Sequence, residues 1–149
     1  MASHHLTMKY MKDFKCIGSE CEMNCCTGWR VTLTDKETAS IKASLEAYPA
    51  INKTLEETII ITDTDHNVMQ MKTSGACTFQ CDSGLCSIHA NAGEEALPYV
   101  CATYPRVIQK VGNRMEMSAK PSCPELARVL LLNDNATKRV SCDKRLFPR

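Results

Sequence analysis

Phe14-Lys-Cys16-Ile-Gly-Ser-Glu-Cys21-Glu-Met-Asn-Cys25-Cys26-Thr-Gly-Trp29 is a dense cysteine loop that also carries Gly18 and Gly28. A second cysteine region runs Cys77-x3-Cys81-x4-Cys86-x14-Cys101, and Cys123 and Cys142 follow singly. Two close-spaced clusters about 50 residues apart can converge on one site, as in many metal-binding domains. The spacing is not that of paired CxxC zinc ribbons, nor that of plant-type or bacterial two-cluster ferredoxins. The CxxxCxxC arrangement of radical S-adenosylmethionine enzymes is missing too. The pattern points to metal held by thiolates without naming the metal.

Chemistry narrows the choice. Outside the N-terminal His4-His5 pair the histidines are His66 and His89. An all-cysteine site favours zinc or iron–sulfur over copper or non-haem iron. More than four nearby thiolates accumulate negative charge, which a multi-iron cluster accommodates better than one divalent ion. Successive side chains diverge, so Cys25 and Cys26 are not expected to ligate one ion together. Cys123 precedes Pro124 at a helix N-cap position, where a helix terminus stabilises a thiolate. A buried small hydrophobe is the alternative there. Cys81 and Cys142 read as structural or incidental.

The composition agrees with a soluble metalloprotein rather than a scaffold of disulfides. Ten cysteines in 149 residues are about 7%, just under the range that flags a small disulfide scaffold. A chain this long buries enough surface to fold without staples. Lys and Arg number 18 against 17 Asp and Glu, so no basic excess points to nucleic acid. The N-terminus lacks the apolar core of a signal peptide, and no run approaches a membrane helix. The expectation is a cytoplasmic protein with no membrane or nucleic-acid partner, in whose compartment thiols stay reduced.

Between the cysteine regions lie ordinary elements. Thr34-Asp-Lys-Glu37 is a capping box, followed by Ile41, Leu45 and Tyr48 on one helical face, and Pro49 stops that helix. The β-branched run 58–62 and the weaker run at Val68, Met69 and Met71 flank a turn-rich stretch, 63–67, and predict a hairpin. Residues 106–111 and 114–118 flank Gly112-Asn113 and predict another. Ser122-Cys-Pro-Glu125 opens a further helix. Pro124 stands at its first position, Glu125 completes a capping box, and Leu126, Val129 and Leu130 form the apolar face. The expected fold class is α+β: a small cysteine-rich metal-binding domain with two or three helices, short β-hairpins and long irregular loops. Residues 1–13 read as an N-terminal extension, 14–133 as the metal-binding or iron–sulfur domain, and 134–149 as a tail or truncated linker.

The 14–29 loop resembles the N-terminal signature of flagellin lysine-N-methylases, the FliB family. The resemblance continues through Gly75-Ala-Cys77-Thr-Phe79, Gly84-Leu-Cys86-Ser-Ile-His89 and Gly93-Glu94, then Cys101-Ala-Thr-Tyr-Pro105-Arg106 and Ser122-Cys123-Pro124-Glu125. The second half is also similar to the wider YkgJ-like group of zinc- or iron-chelating domains. The resemblance implies methyl transfer from S-adenosylmethionine to surface lysines of flagellin, with an iron–sulfur cluster, most simply 4Fe–4S, or zinc as the alternative. Carried onto matching positions, the implied ligands are Cys16, Cys21, Cys25, Cys26, Cys77, Cys86, Cys101 and Cys123. Members of that family are typically much longer, so this chain reads as the metal-binding part of something larger.

Other residues keep more than one reading. Trp29, the single Trp, packs the first cluster against the core or faces a partner. His89 is a ligand, a donor to a cluster sulfur, or a plain surface or core residue. Arg106 pairs with a cofactor carboxylate, stabilises an anionic cluster, or sits in a salt bridge. Glu94 orients a substrate ammonium or marks a helix start. No Gly-rich βα turn of the Rossmann type occurs, so no cofactor motif is visible. The competing functions are a methylase part, a non-catalytic zinc or iron module, and a redox-sensing thiol protein.

Overall fold

In chain order the elements are β1 (His5–Met8), α1 (Lys9–Asp13), β2 (Val31–Thr34), α2 (Asp35–Ser44), α3 (Pro49–Thr58), β3 (Ile59–Ile60) and β4 (His66–Met69). There follow α4 (Ser87–Ala92), α5 (Tyr99–Thr103), β5 (Arg106–Val111), β6 (Arg114–Ala119), α6 (Pro124–Leu131) and β7 (Arg139–Ser141). The computed structural model describes residues 5–60 and 66–143. Helices and two small sheets are both present, and the class is α+β. Six α-helices stand among the described residues where two or three were expected. Three of them, α1, α4 and α5, have only 5, 6 and 5 residues, too short to print a period in the sequence. Among the described residues, no helix is long and apolar enough to cross a membrane.

The described residues divide into two units, one from the N-terminal segment to Met23 with the chain from Thr103 onward, the other Asn24–Ala102. The first unit is built on a four-stranded sheet in the order β5-β6-β1-β7. Its β5–β6 pair is the hairpin expected at Gly112-Asn113, in register from Arg106↔Ala119 to Val111↔Arg114. Gly112 turns it at φ +59°, a conformation that costs an L side chain but not glycine. β1 lies parallel to β6 and antiparallel to β7. Thus the segments read as extension and tail, 1–13 and 134–149, supply β1, α1 and β7 to this unit. Against the sheet, Tyr10, Met11 and Phe14 pack with Met117, Leu126 and Ala136. Leu126 is the residue that the apolar face of α6 buries completely.

In the second unit three strands lie in the order β2-β4-β3. The pairing Ile59↔Met69 and Ile60↔Val68 is the expected hairpin, whose turn falls largely outside the described residues. β2 joins its other edge, alternating Val31 and Leu33 inward with Thr32 and Thr34 outward. The capping box forms: Thr34 Oγ1 accepts the Glu37 N–H at 3.1 Å, and Glu37 Oε2 accepts the Thr34 N–H at 2.9 Å. Ile41 and Leu45 then bury on one face. The helix closes at Ser44, and Tyr48 becomes the N-cap of α3 with Pro49 at its start. Pro49 therefore begins a helix rather than merely ending one, since its missing N–H has no partner to lose there. The core of this unit is Val31, Leu33, Ile41, Leu45, Leu55, Met69, Phe79 and Ile88, with Cys77 and Ala96. Each large side chain among them contributes about 1.5–3 kcal/mol by leaving water.

Candidate metal centre

The cysteine loop that leads up to Trp29 is tied down by scattered hydrogen bonds rather than by regular elements. In the second unit the Cys77 N–H donates to Cys26 O at 2.7 Å, which lays the two cysteine regions side by side. Asn24 adds a second tie: its Nδ2 donates to Gly84 O at 2.9 Å while its Oδ1 accepts the Cys26 N–H at 2.7 Å. The Trp29 indole N–H donates to Cys25 O at 2.6 Å, and the ring packs on the core of the same unit. Lone bridges Met71↔Cys77 and Gln80↔Cys86 fix the loop segments on which Cys77 and Cys86 lie. Sequence reading missed Asn24, because an uncharged amide inside a cysteine loop carries no periodicity or motif of its own.

The structure gathers the candidate sulfurs by unit. Cys25, Cys26, Cys77, Cys86 and Cys101 belong to the second, with Cys81 exposed nearby in sequence. Cys26 donates its thiol proton to the Cys25 sulfur, which holds Cys25 down at about 6 and pushes Cys26 up. Burial pushes Cys101 up to about 12, and the neighbouring Cys77, Cys86 and Cys25 add to the rise. Burial also raises Cys77 and Cys86. The first-turn amides of His89 and Ile88 oppose the rise at Cys86, although neither makes a full capping hydrogen bond to its sulfur. Cys77 sits 8% exposed, its thiol 3.7 Å from Met69 Sδ.

Cys16, Cys21 and Cys123 belong to the first unit. Gly18 donates its N–H to Cys16 Sγ at 3.5 Å. Cys123 is the N-cap of α6, as the sequence predicts. Burial raises its thiol, the amides of Leu126 and Glu125 resist the rise, and Cys21 and Cys16 are near enough to add to it. Burial raises the Cys142 thiol, and the Lys12 charge opposes the rise.

All ten cysteines carry free thiols. Among the described residues, no three His, Cys, Asp or Glu side chains stand at the spacing of a closed ligand set. The donor chemistry nonetheless fits zinc or an iron–sulfur cluster, since both groups offer sulfur and little else. Binding would require the sulfurs to close in and release their protons.

The remaining candidates find ordinary partners. Arg106 lies 5.9 Å over the Phe14 ring, a cation–π contact. His89 and Glu94 are exposed. Glu125 does not complete a capping box. Its carboxylate pairs with Arg128 one turn on, and the Ser122 hydroxyl bonds the Tyr104 hydroxyl at 3.1 Å instead. The guanidinium offers that carboxylate a charge-assisted bond, which is stronger than a neutral cap.

The chain is similar to the flagellar biosynthetic protein FliU of Salmonella muenchen, 29% identical over 132 residues that cover 85% of this chain and 76% of that protein. It is 28% identical over 132 residues to the lysine-N-methylases of Salmonella choleraesuis (strain SC-B67) and Salmonella typhimurium (strain LT2), spanning 32% of the length of each. No solved structure matches it significantly. The family described as CxxCxxCC, "Putative zinc- or iron-chelating domain", matches residues 15–124, which take in nine cysteines, all eight candidate ligands among them. With most of its length inside that match, the chain belongs to the CxxCxxCC family of zinc- or iron-chelating domains.

Proposed function

We propose that this chain is the metal-binding part of a cytoplasmic protein-lysine N-methyltransferase. It would use S-adenosylmethionine, act on flagellin, and hold a 4Fe–4S cluster within residues 14–133, with the four ligands such a cluster takes drawn from the candidates Cys16, Cys21, Cys25, Cys26, Cys77, Cys86, Cys101 and Cys123. The observation that carries this reading is the all-sulfur donor set gathered in both units. The names of the relatives, lysine-N-methylase and flagellar biosynthetic protein, support the activity and the substrate. A bound metal supplies the energy that orders loops too irregular to order themselves. The chain's own residues position it: Asn24 and the Cys77 amide hold the two cysteine regions together, and first-turn amides favour the thiolates of Cys86 and Cys123. Arg106, steadied over Phe14, is the proposed partner of the cofactor carboxylate. A lysine methylase must deprotonate its substrate amine and align it with the sulfonium methyl.

The test is anaerobic purification with iron, zinc and acid-labile sulfide analysis. Labelled-methyl transfer to flagellin is then assayed with a longer protein that contains this region. Iron with matching sulfide and label on flagellin lysines are the expected results; zinc without sulfide, or no transfer, overturns the corresponding half. A non-catalytic zinc or iron module is the second reading, favoured by one observation: the family match over residues 15–124 describes metal chelation alone.

A further inference from the structure

Cys21 and Cys123 stand far apart in sequence, yet a single guanidinium joins the segments that carry them. Arg128 Nη2 donates to Glu22 Oε1 at 2.5 Å, across 106 residues of chain. Its Nη1 donates to Glu125 Oε2 on its own helix. Glu22 directly follows Cys21, and Glu125 lies in the first turn behind Cys123. All of these residues belong to one unit. The Glu125 pair is an ordinary i,i+3 contact within α6. The bond to Glu22 does something else: it fastens the cysteine loop to the helix that begins at Cys123. A planar fork can hold two carboxylates at fixed angles, which a point charge cannot. Cys16, Cys21 and Cys123 all lie in the same unit as the clamp.

We propose that Arg128 is a positioning residue for metal binding. It clamps Glu22 and Glu125 so that Cys21 and Cys16 are presented beside Cys123 before the metal arrives. The inference rests on the metal-binding reading above. Arg128 is 43% exposed, so the clamp adds little to fold stability and its effect belongs to ligand geometry.

The experiment titrates Co2+ into the metal-free full chain, follows the thiolate-to-cobalt charge-transfer absorption, and competes with Zn2+. Arg128→Ala is expected to weaken Co2+ binding about tenfold, the low end of effects seen for groups supporting metal ligands. Its metal-free urea midpoint should equal that of the unmodified chain. Arg128→Lys should fall between the two, because it can hold one carboxylate. Rising NaCl should weaken the unmodified chain toward the Ala variant, since the pair is open to screening. Iodoacetamide should label Cys21 faster in Arg128→Ala. If the unmodified chain binds Co2+ and Arg128→Ala matches its affinity and Cys21 labelling, the clamp is refuted while the metal-binding reading stands. If affinity and urea midpoint fall together, in Arg128→Ala and in Glu22→Gln alike, the role is structural and the proposal fails. If the unmodified chain gives no thiolate–cobalt band, both readings fall.

Discussion

Asn24 stands one residue before the Cys25-Cys26 pair and commits both ends of its amide to backbone, at Gly84 O and the Cys26 N–H. Asn24→Ala leaves two half-buried backbone groups to find water, which costs about 1–3 kcal/mol. The larger consequence is the loss of register between the two cysteine regions. The variant should show a lower urea midpoint and a weaker Zn2+ affinity, measured by competition with a chromophoric chelator. An unchanged affinity would show that the Cys77-to-Cys26 backbone bond suffices alone. Cys101 carries a prediction of a different kind. Burial moves its thiol from the ordinary 9.0 up to about 12. Across that range the folded metal-free chain keeps a proton that the unfolded chain releases, so stability is intact below it and falls as pH rises through it. Cys77 and Cys86, also raised by burial, act with the same sign. Cys25, held down near 6, acts oppositely between that value and 9.0. Urea unfolding of metal-free protein should show its midpoint dropping above pH 9.0, with Cys101→Ala flattening the drop. A midpoint that stays level in the unmodified chain would contradict the burial argument.

At the scale of elements, legibility followed local chemistry. The Thr34–Glu37 capping box, the Gly112 hairpin and the Pro124 helix start each announce themselves within a few residues, and each forms. Thr34→Ala should therefore cost about 1 kcal/mol, read as a lowered melting temperature. Glu37→Ala should cost more, because that carboxylate also accepts the Tyr99 N–H at 3.1 Å. What the sequence hid was set by partners distant in the chain. β2 is four residues of Val-Thr-Leu-Thr whose strand character comes from pairing with β4. β1 pairs with β6 on one side and with β7 on the other, and no short stretch of sequence records those long-range bonds. α3 was hidden by Pro49, read as a stop when it is a start. The site was legible as residue types and spacing, but its division between two units depends on topology. That is why the eight cysteines read as one constellation and fold into two groups.

The whole molecule differs from a zinc finger in one respect that decides what metal removal does. A zinc finger has too little core to fold without its ion. Here each unit owns an apolar cluster: Val31, Leu33, Ile41, Leu45 and Leu55 among others in one, and Tyr10, Met11, Phe14, Met117 and Leu126 in the other. Those residues do not depend on ligated sulfur for their burial. Chelation should then leave the far-ultraviolet circular dichroism of the helices and sheets largely in place. The cysteine loops, held by a handful of backbone bonds such as Gly28 to Gly75 and Cys77 to Cys26, should loosen. Limited proteolysis should cut the metal-free chain first within 14–29 and 75–86 and spare α2 and α6. Thiol labelling read by mass spectrometry sharpens the test. In the metal-bound chain Cys81 and Cys142 should react, while those of the eight candidates that ligate are protected until chelator is added. Global unfolding on chelation would mean that the two cores are insufficient without metal. Equal labelling of all ten thiols with metal present would remove the cysteine loops from the metal centre altogether.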